Sequence, residues 1–208
     1  LEPDRMALAH LARALGPGEA LRRMAPSLGE QACSTLLAVM EWPQFSPLTS
    51  SCGRLFDAVS ALLGVPRRTA GRVTYEGQAA CELEAICDEG ETDAYEFGYE
   101  DESIVVGPLL RGACADLDRG LSATRIAARF HNTIAAIVVE TCRRIRAERV
   151  LSDVAMSGGV MQNRLLLARA VPALEREGFR VLLQRRVPPN DGGICLGQAA
   201  CALAQLAG

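Results

Sequence analysis

Apolar residues recur at helical spacing through the first part of the chain. In "PDRMALAHLARALG" they share one face and stop at Gly16, a residue suited to ending a helix. "SLGEQACSTLLAVMEW" opens on Ser27 with Glu30 three positions later, a pairing that caps helix starts, and runs on into a long apolar face. Pro43 and Pro47 break that pattern. "SSCGRLFDAVSALLG" predicts another amphipathic helix ended by Gly64, and "TYEGQAACELEAICDEG" predicts one that starts after Gly77. Residues 88–102, "DEGETDAYEFGYEDE", are acidic with several aromatics, and read as a solvated loop or exposed hairpin rather than an acidic binding surface. "SIVVGPLL" predicts a short strand before a helix through "LLRGACADLDRG". The longest periodic element follows. From Ser122, the positions Ile126, Phe130, Ile134, Ile137, Val138 and Ile145 mark one helical face reaching about Arg146, with Arg125, Arg129, Arg143 and Arg144 largely off that stripe.

The last third changes style. "RVLSDVAMSGG" is strand-like and "MQNRLLLARA" helical. Pro172 suits the first turn of a second short helix. "FRVLLQRR" predicts a second strand, "VPPNDGG" a turn and "GICLGQAACALAQLA" a closing helix. This β-α-β-α order implies parallel strands joined by helical crossovers. The chain therefore reads as α/β, with a mainly helical part over about 1–100 and an α/β part over about 101–208. It shows no internal repeat.

Composition narrows the function classes. A chain of 208 residues, 49% apolar, can bury one large domain or a domain with a subdomain. The net charge of −3 argues against DNA or another nucleic acid held by excess positive charge. Every basic residue is Arg, so a Walker-type lysine and Schiff-base chemistry are excluded. No apolar run reaches membrane-spanning length, and "LEPDRMALAH" has no signal-peptide pattern. The chain opens on Leu1 rather than Met, as a piece cut from a longer polypeptide would. None of the eight cysteines stands in a C-x-x-C pair. They read as small core residues in a reducing compartment, which points to the cytoplasm, rather than as a disulfide frame or zinc knuckle. His10 and His131 are too few and too far apart for a His-rich metal site.

Two glycine-rich turns carry the candidate chemistry. In "AMSGGVMQN", Gly158 and Gly159 permit close approach of a ligand to the main chain, and the following helix would direct free N–H groups at it. Asn163, about one turn into that helix, offers a donor and an acceptor to a sugar or phosphate. A tight strand-to-helix corner explains the same residues without a ligand. In "PPNDGGICLGQ", Asp191 is either a helix N-cap or a carboxylate for a metal or Mg-nucleotide. Two such turns on neighbouring parallel strands would open on the same carboxyl edge, where α/β sheets bind ligands. Asp57 stands on an otherwise apolar helix, either solvated or, if buried, meeting a ligand, an Arg or backbone donors. Gly77 and Gln78 at a helix start suit close ligand approach. His131, at the border of the long apolar stripe, reads as structural.

In order along the chain, "SSCGRLFDAVSALLGV", "TYEGQAACELE", "ARFHNTIA", "LSDVAMSGGVMQNRLLL" and "VPPNDGGICLGQAA" resemble the C-terminal, TsaD-like portion of the HypF carbamoyltransferase family. The resemblance runs from about Pro3 to the end. It implies the second lobe of an ASKHA (actin/sugar kinase/Hsp70-like) nucleotide-binding fold with a helix-rich N-terminal part or insertion. It also implies ATP and carbamoyl-adenylate as ligands, with the carbamoyl group passed to the C-terminal Cys thiol of HypE in [NiFe]-hydrogenase maturation. By match to the family's motifs, Gly158, Gly159 and Asn163 would contact the nucleotide with Ser157 and Gln162 nearby. Asp57 and Gly77 would hold the nucleoside. Asp191 would complete a divalent metal site (zinc, iron or magnesium) with two histidines. Those histidines, the first lobe and the YrdC-like domain have no counterpart here. The expectation is thus an excised lobe that is catalytically silent alone. The related O-carbamoyltransferases and tRNA threonylcarbamoyl-type transferases, and a docking lobe without catalysis, are the other readings.

Overall fold

The stripe of "PDRMALAHLARAL" forms α1 (Pro3–Leu15), with its proline in the first turn, where no backbone donor is needed. In this computed structural model, which describes residues 2–66 and 72–207, Gly16 ends α1 and Pro17 at once begins α2 (Pro17–Leu28). The expected capping box is not formed. Ser27 lies in the last turn of α2, where its hydroxyl donates to the Met24 carbonyl at 3.1 Å, and α3 (Glu30–Met40) starts from Gly29. A helix begun at Pro17 simply carries through Ser27. Leu8, Leu11, Met24, Cys33, Ala58, Ala61 and Cys114 meet in a solvent-free core. Each large side chain sealed there contributes about 1.5–3 kcal/mol.

Helix α4 (Cys52–Leu62) is capped by Ser51, whose hydroxyl accepts from the Arg54 N–H at 3.4 Å. It packs on α1 and on α5 (Gln78–Ala85). A hairpin of β1 (Gly98–Glu100) and β2 (Ser103–Val105) leads into α6 (Gly107–Asp118). The long stripe becomes α7 (Ala123–Arg149). Phe56 of α4 meets Phe130 edge-on at 4.7 Å and His131 at 5.2 Å, an arrangement worth more than area burial alone. His131 is fully buried, with Nδ1 2.8 Å from the Ala127 carbonyl and 3.2 Å from Cys87 Sγ. Because that carbonyl only accepts, the proton sits on Nδ1. The ring is therefore not a base toward the thiol, and its role is structural as expected.

The hairpin expected of the acidic stretch begins at β1 and residues 92–94 are exposed, but Glu91 is not solvated. Glu91 is 8% exposed, and its carboxylate accepts from Arg125 Nε at 2.8 Å, Arg129 Nε at 3.1 Å and the Asp93 N–H at 3.0 Å. Arg129 also donates to Asp116 at 2.9 Å, as does the Tyr95 hydroxyl at 2.9 Å. The Asp93 N–H, then the two guanidinium groups, hold the Glu91 carboxyl down at about 2. Two of the arginines left off the apolar stripe of α7, Arg125 and Arg129, thus tie Glu91 and Asp93 down.

The chain divides into two units, 1–134 and 135–208, with the boundary inside α7. In the second unit, β3 (Asp153–Met156) pairs in parallel with β4 (Arg180–Leu183), in register from Asp153↔Arg180 to Met156↔Leu183. Between them α8 (Arg164–Arg176) buries Leu166, Ala170 and Leu174. Pro172 starts no new helix. It lies within α8, where it and Ala168 are both exposed, so the carbonyl deprived of its donor can be hydrated. Arg146 lies 4.0 Å from the centre of the Phe179 ring. Helix α9 (Ile194–Ala207) closes the unit with Leu196, Leu203 and Leu206 53%, 68% and 85% exposed.

The cysteine expectation holds for Cys33 and Cys114, which are buried. It fails for Cys81, Cys195 and Cys201, which are exposed on α5 and α9. Among the described residues no helix is long and apolar enough to cross a membrane.

Candidate functional site: two turns at one sheet edge

The register of the parallel pair places Ser157 and Gln184 side by side, each one residue beyond the last matched positions Met156 and Leu183. From Ser157 the chain enters Gly158 at φ 106°, ψ 164°, a conformation that L side chains rarely adopt. A Cβ added there meets nothing within 4 Å, and the same is true of Gly159. This glycine pair therefore borders open space, as close approach of a ligand requires.

A 3-10 turn over Gly159–Gln162 then precedes α8. Asn163 consequently sits at the N-cap of α8, not a turn inside it. Its Oδ1 accepts from the Leu166 N–H at 2.7 Å, and the residue is 8% exposed. The acceptor expected to face a sugar is committed to the helix. Ser157 and Gln162 are exposed beside it.

The second turn joins the first directly. The Pro189 carbonyl accepts from the Gly158 N–H at 2.7 Å and from the Ser157 hydroxyl at 3.2 Å. Asn190, rather than Asp191, provides the cap here, its Oδ1 accepting from the Gly192 N–H at 3.0 Å. The amide side chain one residue earlier reaches that N–H, which leaves Asp191 as the first residue of the turn. Its carboxylate is exposed and makes no ion pair among the described residues. Gly193 has a packing role: a Cβ there would lie 2.7 Å from the Pro188 carbonyl oxygen.

Asp57 and Gly77 belong to the first unit. Asp57 is half-buried on α4 and takes a 2.8 Å hydrogen bond from Arg54 Nη1, the Arg alternative rather than the solvated one. Burial raises its carboxyl above the usual range, Arg54 opposes the shift, and the negative charge of Glu76 adds to it. Glu76 precedes Gly77, so the packing of α4 on α5 brings Asp57 into the electrostatic neighbourhood of the Gly77 corner. Gly77, at φ 82°, is exposed and starts α5. Gln78 is not presented to a ligand: its buried amide accepts from Thr74 N at 2.6 Å and donates to Glu82 at 2.8 Å.

The second-unit candidates thus form one edge, and the first-unit pair forms another local group. The family model for the carbamoyltransferase Kae1-like domain, second subdomain, matches residues 1–198. The chain belongs to the HypF carbamoyltransferase family. It is 37% identical over 205 residues to the carbamoyltransferase HypF of Rhizobium leguminosarum bv. viciae, covering 97% of this chain and 25% of that relative. It is 37% identical over 158 residues to that of Synechocystis sp., covering 74% of this chain and 19% of the relative. A crystal structure of full-length HypF in a phosphate- and nucleotide-bound form matches with a TM-score of 0.85 and 36% identity, over 99% of this chain and 27% of that one. The chain spans about a quarter or less of the length of these HypF proteins.

Among the described residues no three His, Cys, Asp or Glu side chains are grouped to bind a metal, so Asp191 would need ligands from outside this chain to hold one. Sequence reasoning also missed Gln184. Its signal was positional, because the residue following each of two paired parallel strands faces the same edge.

Proposed function

We propose that this chain is the second lobe of an ASKHA-type carbamoyltransferase that takes carbamoyl-adenylate, made from carbamoyl phosphate and ATP, and passes its carbamoyl group to the C-terminal Cys thiol of HypE, supplying the cyanide ligands of [NiFe]-hydrogenase. The observation that carries this reading is the open Gly158–Gly159 corner at the carboxyl edge of β3, tied to the Pro189 turn of β4. The phosphate- and nucleotide-bound state of a HypF with the same fold supports it.

Carbamoyl-adenylate is already an activated mixed anhydride. The acceptor thiolate attacks the carbamoyl carbon, a C–S bond forms, the C–O bond to the phosphate breaks, and AMP leaves with the electron pair. The protein's part is to hold the adenylate in line with the thiolate, exclude water and stabilise the charge that moves onto the phosphate. A glycine corner open to solvent can present its main chain to that phosphate. Asp57 and Gly77 would hold the nucleoside and Asn163, by capping α8, would keep the corner in shape.

Helix α9 supports the partners of this reading. It is rich in apolar residues yet exposed, as a helix is when a further domain covers it. We assign that cover to the first lobe, with the YrdC-like domain upstream, and expect the 208-residue chain alone to bind nucleotide weakly and transfer nothing.

The test is radiolabelled carbamoyl transfer by the complete polypeptide carrying this segment, with HypE, a sugar alcohol and tRNA as acceptors. Label on the HypE cysteine supports the proposal. Label on the alcohol or the tRNA overturns it in favour of the related small-molecule or tRNA transferases. HypE captured without any nucleotide uptake would make this a docking lobe.

A further inference from the structure

We infer that Gln184 is a positioning residue for the Ser157–Gly159 corner, acting through a hydrogen-bond relay with a fixed direction. The inference rests on the nucleotide reading of that corner. Gln184 Nε2 lies 3.0 Å from Ser157 Oγ, and Ser157 Oγ lies 3.2 Å from the Pro189 carbonyl, which also takes the Gly158 N–H at 2.7 Å.

The direction follows from proton counting. A carbonyl oxygen only accepts, so the Ser157 hydroxyl proton is spent on Pro189. Ser157 Oγ then has only lone pairs left for its other neighbour. The group at position 184 must donate, which sets the amide of Gln184 with its nitrogen toward Ser157. The relay thus runs from the end of β4, through the Ser157 hydroxyl, to the Pro189 carbonyl, and it closes on the Gly158 N–H. It fixes the orientation of the peptide that precedes the open glycine pair. Gly158 has no Cβ, and at φ 106° has wide backbone freedom, so something outside it must choose one conformation. Gln184 and Pro189 make that choice.

A carboxylate at position 184 would accept only, and would compete with Pro189 for the single hydroxyl proton. Gln184→Glu should therefore loosen the corner as much as Gln184→Ala does, although it is close to isosteric. Gln184→Lys keeps a donor and should rescue it. Position 184 is exposed, so all three variants leave the fold intact. The readout is native-state amide hydrogen exchange at Gly158 in the 208-residue chain, without ligand. One lost exposed hydrogen bond predicts exchange faster by about three- to tenfold in Gln184→Glu and Gln184→Ala, and near wild type in Gln184→Lys. AMP affinity, titrated in the same chains, should weaken by a similar factor in the first two. Unchanged Gly158 exchange in Gln184→Glu, or Gln184→Lys exchanging as fast as Gln184→Ala, overturns the relay. A wild-type chain with the predicted exchange pattern but no AMP uptake would leave the relay standing and remove the nucleotide reading instead.

Discussion

The two Gly-Gly turns at the end of the parallel sheet look alike in sequence and differ in space. At Gly158 and Gly159 an added methyl group would enter open space. At Gly193 it would strike the Pro188 carbonyl oxygen at 2.7 Å, and at Gly192 it would lie 3.1 Å from Asn190 Oδ1 and Pro188 Cγ. One pair keeps room for something outside the turn, and the other is used up by the turn's own packing. Glycine pairs after a strand therefore carry two meanings, and only the volume beside them tells which applies. Here the vacant pair is the candidate ligand corner, while the filled pair fixes the Pro189 carbonyl that holds it.

Gly193→Ala tests the filled turn hardest. The clash is with backbone and cannot be relieved by a rotamer, so a loss of about 1–3 kcal/mol is expected, read as a lower thermal midpoint by calorimetry. A midpoint equal to wild type would remove the distinction between the turns. Gly158→Ala has room for its methyl group but not the backbone angle, and should cost about 1–2 kcal/mol. Asn163→Ala removes the α8 cap, with a loss of about 1 kcal/mol. Asn163→Asp should restore it, because a carboxylate caps as well as an amide. If Asp restores stability and Ala and Asp both lose AMP affinity, the amide does more than cap. Gly159→Ala should move stability by less than about 0.5 kcal/mol yet lower AMP affinity severalfold. Intact affinity in Gly159→Ala would show that the space beside it is not where the ligand sits.

Much of the fold was legible because periodicity reports burial. The stripe from Ile126 to Val138 became the covered face of α7, although Ile145 at its end is exposed; the apolar faces around Phe56 and Leu83 became α4 and α5, and the β-α-β-α rhythm after Val150 became a parallel pair. Where reading failed, a local signal was overruled by a neighbour. Ser27 and Glu30 have capping-box spacing, but Pro17 had already started a helix that runs through Ser27. Pro172 is a good first-turn residue, yet it sits where α8 faces water and tolerates a missing donor. Glu91 in the acidic stretch looks solvated until Arg125 and Arg129 are placed beside it. At the site, the glycines, Ser157 and their shared edge with Asp191 were readable from strand order. The cap duties of Asn163 and Asn190, and the relay through Gln184, depend on which atoms of a side chain are already engaged, and spacing does not contain that information.

The most direct measurement is a titration of the isotope-labelled chain with AMP at millimolar concentration, following backbone amide shifts. The largest movements are expected at Ser157, Gly158 and Gly159, with Gly193 little changed. Amides at 157–159 that stay in place while AMP binds elsewhere, or a chain that ignores AMP altogether, would contradict it.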